Sequence, residues 1–300
     1  MHKLPVKVGG LELSSPGMLA SGILDENGYT MKRILDEGAG AVVTKSIGME
    51  ERNGYMPPVV FEGKNWLLNA MGLPNPGIDH FEDEIVIAKQ SGKPVIGSIF
   101  GSSVDDFLVL GQKMESFGVS AVELNLSCPH VRGYGSEVGS DPVLVKNIVK
   151  ELKGTLSIPV WSKLSPNVTS ILDIARSASD SDALVLINTL RGMAINIYNR
   201  MPVLTNVYGG VSGSSIKPVG LRLVYEVRKE MDIDIIGVGG IDNHEDALEY
   251  IMAGANAFQI GTALMHHGRK IFNEINVGIG EFMAHNGVSD LSKLVGRAVQ

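Results

Sequence analysis

AVELNLSCPH, residues 121–130, opens with a five-residue run, AVELN, that reads as a strand buried on both faces. Near-continuous apolar runs of this length suit the interior of a parallel sheet. Seven more share its character: GMLAS (17–21), AVVTK (41–45), PVIGS (94–98), PVWSK (159–163), LVLIN (184–188), IIGVG (235–239) and AFQIG (257–261). Most are followed by a helical pattern, and segments 28–38, 104–117, 143–153 and 216–231 supply crossovers. Eight such units in 300 residues predict an α/β fold, a (β/α)8 TIM barrel built as a single domain over 1–300. A doubly wound sheet is the rival. It would more often carry a glycine-rich fingerprint after its first strand, and none follows GMLAS.

Outside the repeating units, VKVGGLEL (6–13) predicts an N-terminal hairpin around Gly9-Gly10 that plugs the bottom of the barrel. Two connections are long: 46–93 after strand two and 190–215 after strand six. Both leave the C-terminal ends of strands, where barrels build their sites. They are rich in Gly, Pro and Asn but also apolar, and so predict packed lids rather than linkers.

Composition narrows the function. The chain is 44% hydrophobic and 20% charged, with a formal charge of −7. That leaves no basic footprint for nucleic acid. No run reaches the 18 or so apolar residues of a membrane span, and MHKLPVKVGGLEL lacks the apolar core of a signal peptide. A cytoplasmic protein is the expectation. Cys128 is the single cysteine, so it forms no internal disulfide and holds no cysteine-ligated metal or iron–sulfur cluster. Buried as a small hydrophobe, it would be inert. Beside Asn125, Ser127 and His130 at a strand's end, it reads instead as part of a site.

The strand ends carry Ser21, Lys45, Ser98, Asn125, Lys163 and Asn188. A buried charge is costly unless paired. Two lysines closing apolar strands therefore point to an anionic ligand, against the alternative that each reaches solvent. The last two strands end in Gly239-Gly240 and Gly261-Thr262, where free amides cradle phosphate in many barrels. Tight turns would use the same residues. A mononucleotide suits such a site. The amides of Asn69, Asn125 and Asn188 offer donors and an acceptor each, which suits a planar ligand such as a pyrimidine. Turn chemistry is the competing explanation, strongest for Asn69.

Taken together, VTKS (43–46), NAMGLPNPG (69–77), ELNLSCP (123–129), KLSPNVT (163–169), INTLRGM (187–193), GGVSGSSIKP (209–218), GVGGI (237–241) and AGANAFQIGTA (253–263) resemble the dihydroorotate dehydrogenase family. The resemblance implies a barrel holding FMN at its mouth and oxidising (S)-dihydroorotate to orotate in pyrimidine synthesis. Cys128 matches the base that takes a proton from C5, while hydride leaves C6 for the flavin. Lys163 matches a flavin contact, and Lys45 a contact to both flavin and substrate. Ser21, Ser46, Asn125, Ile187, Gly213, Gly239, Gly240, Gly261 and Thr262 match FMN contacts. Asn69, Ala70, Met71, Gly72 and Leu73 match the orotate loop, joined by Asn125, Asn188 and Thr189.

Cysteine rather than serine as base, and a start close to the hairpin, resemble the class 1 enzymes rather than the membrane-bound, quinone-using class. NAMGLPNPG and the following GSDP (139–142) look more like class 1B than the fumarate-using class 1A. Class 1B implies a homodimeric core with a second subunit carrying FAD and a [2Fe–2S] cluster, a heterotetramer that delivers electrons to NAD. The chain departs from the family at Ser98, where a flavin-contacting Asn is usual, and at His130, where Asn is common. Other readings are a tRNA dihydrouridine synthase, which the charge of −7 opposes, a phosphate-binding lyase or isomerase using Lys45 or Lys163, and a flavin carrier that needs no Cys128.

Overall fold

The computed structural model describes residues 4–126 and 138–300. Eight parallel strands close a barrel in sequential order: β1 Gly17–Leu19, β2 Ala41–Val43, β3 Val95–Ile99, β4 Ala121–Asn125, β5 Val160–Leu164, β6 Ala183–Leu186, β7 Ile235–Val238 and β8 Ala257–Ile260. Each coincides with one of the apolar runs. Every residue of these strands is buried, because helices cover one face and barrel-filling side chains the other. The α/β reading and the TIM barrel therefore hold.

Around them run α1 Gly28–Asp36, α2 Glu82–Lys89, α3 Val104–Ser116, α4 Pro142–Thr155, α5 Ile171–Ser177, α6 Lys217–Glu230 and α7 His244–Ala253. A short α8, Leu264–His267, precedes the closing helix α9, Ile271–His285. Several helix starts follow from side-chain caps. Ser103 accepts from the Asp106 amide, and Asp141 from the amides of Val143 and Leu144, satisfying donors that the first turn cannot.

The strand alternation sorts the core in two. Val122 and Leu124 point outward into the helix layer. Ala121, Trp161, Ala183, Ile236, Ala257 and Met18 point inward and meet Val8 and Leu13 of the hairpin. That hairpin, Val6–Val8 against Leu11–Leu13, plugs the barrel as the sequence predicts. Trp161 Nε1 donates to Gly9 O at 2.9 Å. Gly9 has φ +54°, and a Cβ there would collide with Trp161 Nε1 and lie 2.8 Å from Trp161 Cε2 and 2.9 Å from Ala183 Cβ. Gly9→Ala is expected to cost about 2–4 kcal/mol, from the left-handed backbone and the overpacking together. Urea denaturation checks this; a loss under about 1 kcal/mol would contradict the plug.

The two long connections join each other. Leu190–Gly192, Gly209–Ser212, Trp66–Asn69 and Val60–Gly63 form one antiparallel four-stranded sheet, with Asn69 opposite Gly210. The expected lids are thus a single wall over one side of the barrel mouth. No helix among the described residues is long and apolar enough to cross a membrane.

Candidate active site

A cavity of about 650 Å³ opens at the C-terminal end of the barrel, between the strand ends and the four-stranded sheet. Its floor is set by strand alternation. Inward positions on β4 and β5 pair Asn125 with Lys163 across the parallel ladder, so the amide and the ammonium stand side by side. Both are nearly buried and both line the cavity. Lys163 Nζ donates to Gln259 Oε1 at 3.1 Å.

Beyond β2, Lys45 and Ser46 face the same space. Lys45 Nζ pairs with Glu26 Oε1 at 2.9 Å, the lysine almost covered and the glutamate exposed. Asp25, just before it, accepts from the Gly22 amide at 2.5 Å and the Ser21 hydroxyl at 3.3 Å. Burial raises the Asp25 pKa above the usual carboxylate value, and the neighbouring Lys45 charge offsets part of that rise. Ser46 is a hub. Its Oγ lies 3.2 Å from Ser21 Oγ and 2.9 Å from Ser98 Oγ, and accepts from Asn125 Nδ2 at 3.0 Å. Ser98 is fully buried and does not itself line the cavity. It supports Ser46, and through it the Asn125 amide.

The opposite end is lined by Gly213, Gly239, Gly240, Gly261 and Thr262. Gly213, Gly239 and Gly240 have φ of +95°, +127° and +72°. A Cβ at Gly240 would sit 2.8 Å from Lys217 N and 2.9 Å from Gly213 O, so only glycine fits. The amides of Gly240, Gly261 and Thr262 make no hydrogen bond to another described residue. Free amides on glycines at strand ends are what an anion such as phosphate needs. Tyr250 steadies this end, donating to Gly239 O at 2.7 Å. Burial drives its pKa up, so the hydroxyl remains a donor. Thr262 Oγ1 donates to Ser212 Oγ at 2.7 Å, tying the turn to the sheet.

Ile187, Asn188 and Thr189 line the wall after β6, and Asn69, Met71, Gly72 and Leu73 the wall from the first insertion. Asn188 Oδ1 accepts from the Thr189 amide at 2.7 Å, and Asn69 Nδ2 donates to Gly210 O at 3.3 Å. Ala70 stands apart. Leu67, Asn69 and Met71 face the cavity, while Leu68 and Ala70 pack behind them with Leu204. The period of two sends alternate residues to opposite faces, and the Ala70 amide is engaged with Val59 O at 2.8 Å. Cys128 and His130 lie outside the described residues.

Glu123, Gln259, Ser212 and Trp66 also line the cavity and were not singled out from sequence. A signal for the first two was present. A glutamate inside AVELN and a glutamine inside AFQIG are polar breaks in apolar strands, two residues before Asn125 and Gly261. They therefore share those residues' inward face.

The family model of dihydroorotate dehydrogenase matches residues 3–283. A protein of Thermoplasma acidophilum is 59% identical over all of both chains. One of Pyrococcus horikoshii is 46% identical over 99% of this chain and 98% of its own, and one of Methanocaldococcus jannaschii 44% identical over 98% of each. All three are named dihydroorotate dehydrogenase B (NAD(+)), catalytic subunit. With a model match across nearly its whole length and relatives this similar, the chain belongs to the dihydroorotate dehydrogenase family.

Proposed function

We propose that this chain is the catalytic subunit of a class 1B dihydroorotate dehydrogenase, oxidising (S)-dihydroorotate to orotate in pyrimidine synthesis and passing the electrons to NAD. The observation that carries the reading is the convergence on one cavity of Lys45, Lys163, three asparagines and glycine amides that bond no other described residue. The set fits FMN: the amides of Gly240, Gly261 and Thr262 suit a phosphate, and Lys163 suits the electron-rich edge of a reduced ring. FMN would supply the acceptor for the hydride leaving C6 of the substrate.

The chain's own groups do the rest. Asn69, Asn125, Asn188 and Thr189 offer donors and acceptors to the edge of a planar pyrimidine. Lys45 places a cation where the substrate carboxylate and the ring would meet. The four-stranded sheet covers one side and restricts water. Cys128, by the family pattern, takes the C5 proton. Loss of that proton and of the C6 hydride converts the single bond to the double bond of orotate.

The relatives' printed name includes the words catalytic subunit, which supports assembly with a second subunit. That partner would bring the FAD and [2Fe–2S] cluster, since a single cysteine cannot hold the cluster. A homodimeric core and a cytoplasmic setting complete the proposal.

Anaerobic titration with dihydroorotate tests it. The FMN-loaded chain is expected to lose its yellow absorbance stoichiometrically. Alone it should be reoxidised by NAD at least about a hundredfold more slowly than by the complex. No bleaching would refute the substrate; rapid reoxidation by fumarate would move the chain to class 1A.

A further inference from the structure

The floor of the cavity holds a carboxylate, Glu123, that the reaction above does not use. Glu123 and Gln259 are both 0% exposed. Gln259 bridges Lys163 to Glu123, with Oε1 accepting from Lys163 Nζ at 3.1 Å and Nε2 donating to Glu123 Oε2 at 2.6 Å. Lys163 Nζ is also 3.6 Å from Glu123 Oε1, and that oxygen accepts no hydrogen bond from any described residue.

The chemistry allows one orientation. An ammonium only donates, an ionised carboxylate only accepts, and an amide does one at each end. Flipping Gln259 would set its NH2 against the ammonium and its oxygen against the carboxylate. Burying such a pair is no efficient route to stability. The layer below fills the same barrel with Ala121, Trp161 and Ala257. The pair sits instead where a ligand meets the floor, since Glu123, Gln259 and Lys163 all line the cavity.

We propose that Glu123 is a positioning residue. Acting through Gln259, it aims Lys163 at the ring of the bound flavin and offsets the lysine's charge there. The proposal rests on the FMN reading of the cavity. Its consequence is electrostatic. A counter-charge under Lys163 weakens the positive field that favours an anionic reduced ring, so its removal makes the flavin easier to reduce.

The test compares wild type, Glu123→Gln and Glu123→Asp, each loaded with FMN, by midpoint potential and by FMN affinity from fluorescence quenching. Gln keeps the shape and loses the charge; Asp keeps the charge. Glu123→Gln is expected to shift the reduced-to-oxidised ratio about tenfold toward reduced, about 30 mV for a two-electron couple, and Glu123→Asp by less than about threefold. An unchanged Glu123→Gln potential, or equal shifts in both variants, would overturn the proposal and leave a packing role. Gln259→Met keeps both charges and breaks the bridge, which covers the case in which Glu123→Gln does not fold. It is expected to weaken FMN binding about tenfold, and unchanged affinity would also overturn the proposal. A wild-type chain that takes up no FMN overturns the flavin reading and this proposal together. Normal uptake with flat potentials overturns this one alone.

Discussion

Replacing Cys128 with alanine is expected to lower dihydroorotate oxidation by about 10² to 10⁴-fold while FMN stays bound. That range is the usual contribution of a positioned general base. The C5 proton of a saturated ring is weakly acidic, so hydride transfer without a base would leave an unfavourable cation. The assignment comes from the family pattern ELNLSCP. In the described part of that pattern β4 ends at the cavity in Asn125, and the Leu126 amide bonds Lys163 O at 3.3 Å; Cys128 itself lies outside the described residues. Since Cys128 is the single cysteine, thiol alkylation should reproduce the alanine phenotype without mutagenesis. A free thiol ionises at about 8.5. An unassisted thiolate base therefore gives a rate rising about tenfold per pH unit below that value, while a flat profile from pH 6 to 8 requires a thiol already ionised. Stopped-flow reduction of the flavin by dihydroorotate reads both effects. Near-wild-type reduction in Cys128→Ala would remove the thiol from the mechanism.

The barrel was legible because its strands are short, apolar and followed by helices, all local signals. The strand ends were legible to within two residues. AVVTK overran β2 because Thr44 leaves the strand pattern: its hydroxyl accepts from the Ser98 amide at 3.0 Å, and the Lys45 amide turns to Asp25 O at 3.0 Å. The wall over the mouth was not legible. Its pairing of residues 67–69 with 210–212 joins a short segment, WLLN, to a short glycine-rich one, GGVS, and neither is long enough to show a period. Ala70 belongs to the contiguous motif NAMGLPNPG, and alternation within that motif turns it away from the cavity. The Glu123–Gln259 bond spans 136 positions, so each residue could be placed inward from its own strand but not paired with the other. Ser98 shows the converse. Its substitution for a longer side chain was visible in sequence, whereas its partner, Ser46, became visible only when β3 and the end of β2 were brought together.

Lys163→Met is expected to weaken FMN binding and, separately, to destabilise the protein without FMN. Removing the ammonium leaves Glu123 buried with the Gln259 amide as its one partner among the described residues, and breaking one side of a buried pair costs about 3–5 kcal/mol. Adding Glu123→Gln to Lys163→Met removes the stranded carboxyl and should recover most of that loss in urea denaturation. A double variant no more stable than Lys163→Met would show that the lysine contributes to the fold through its methylenes rather than its charge.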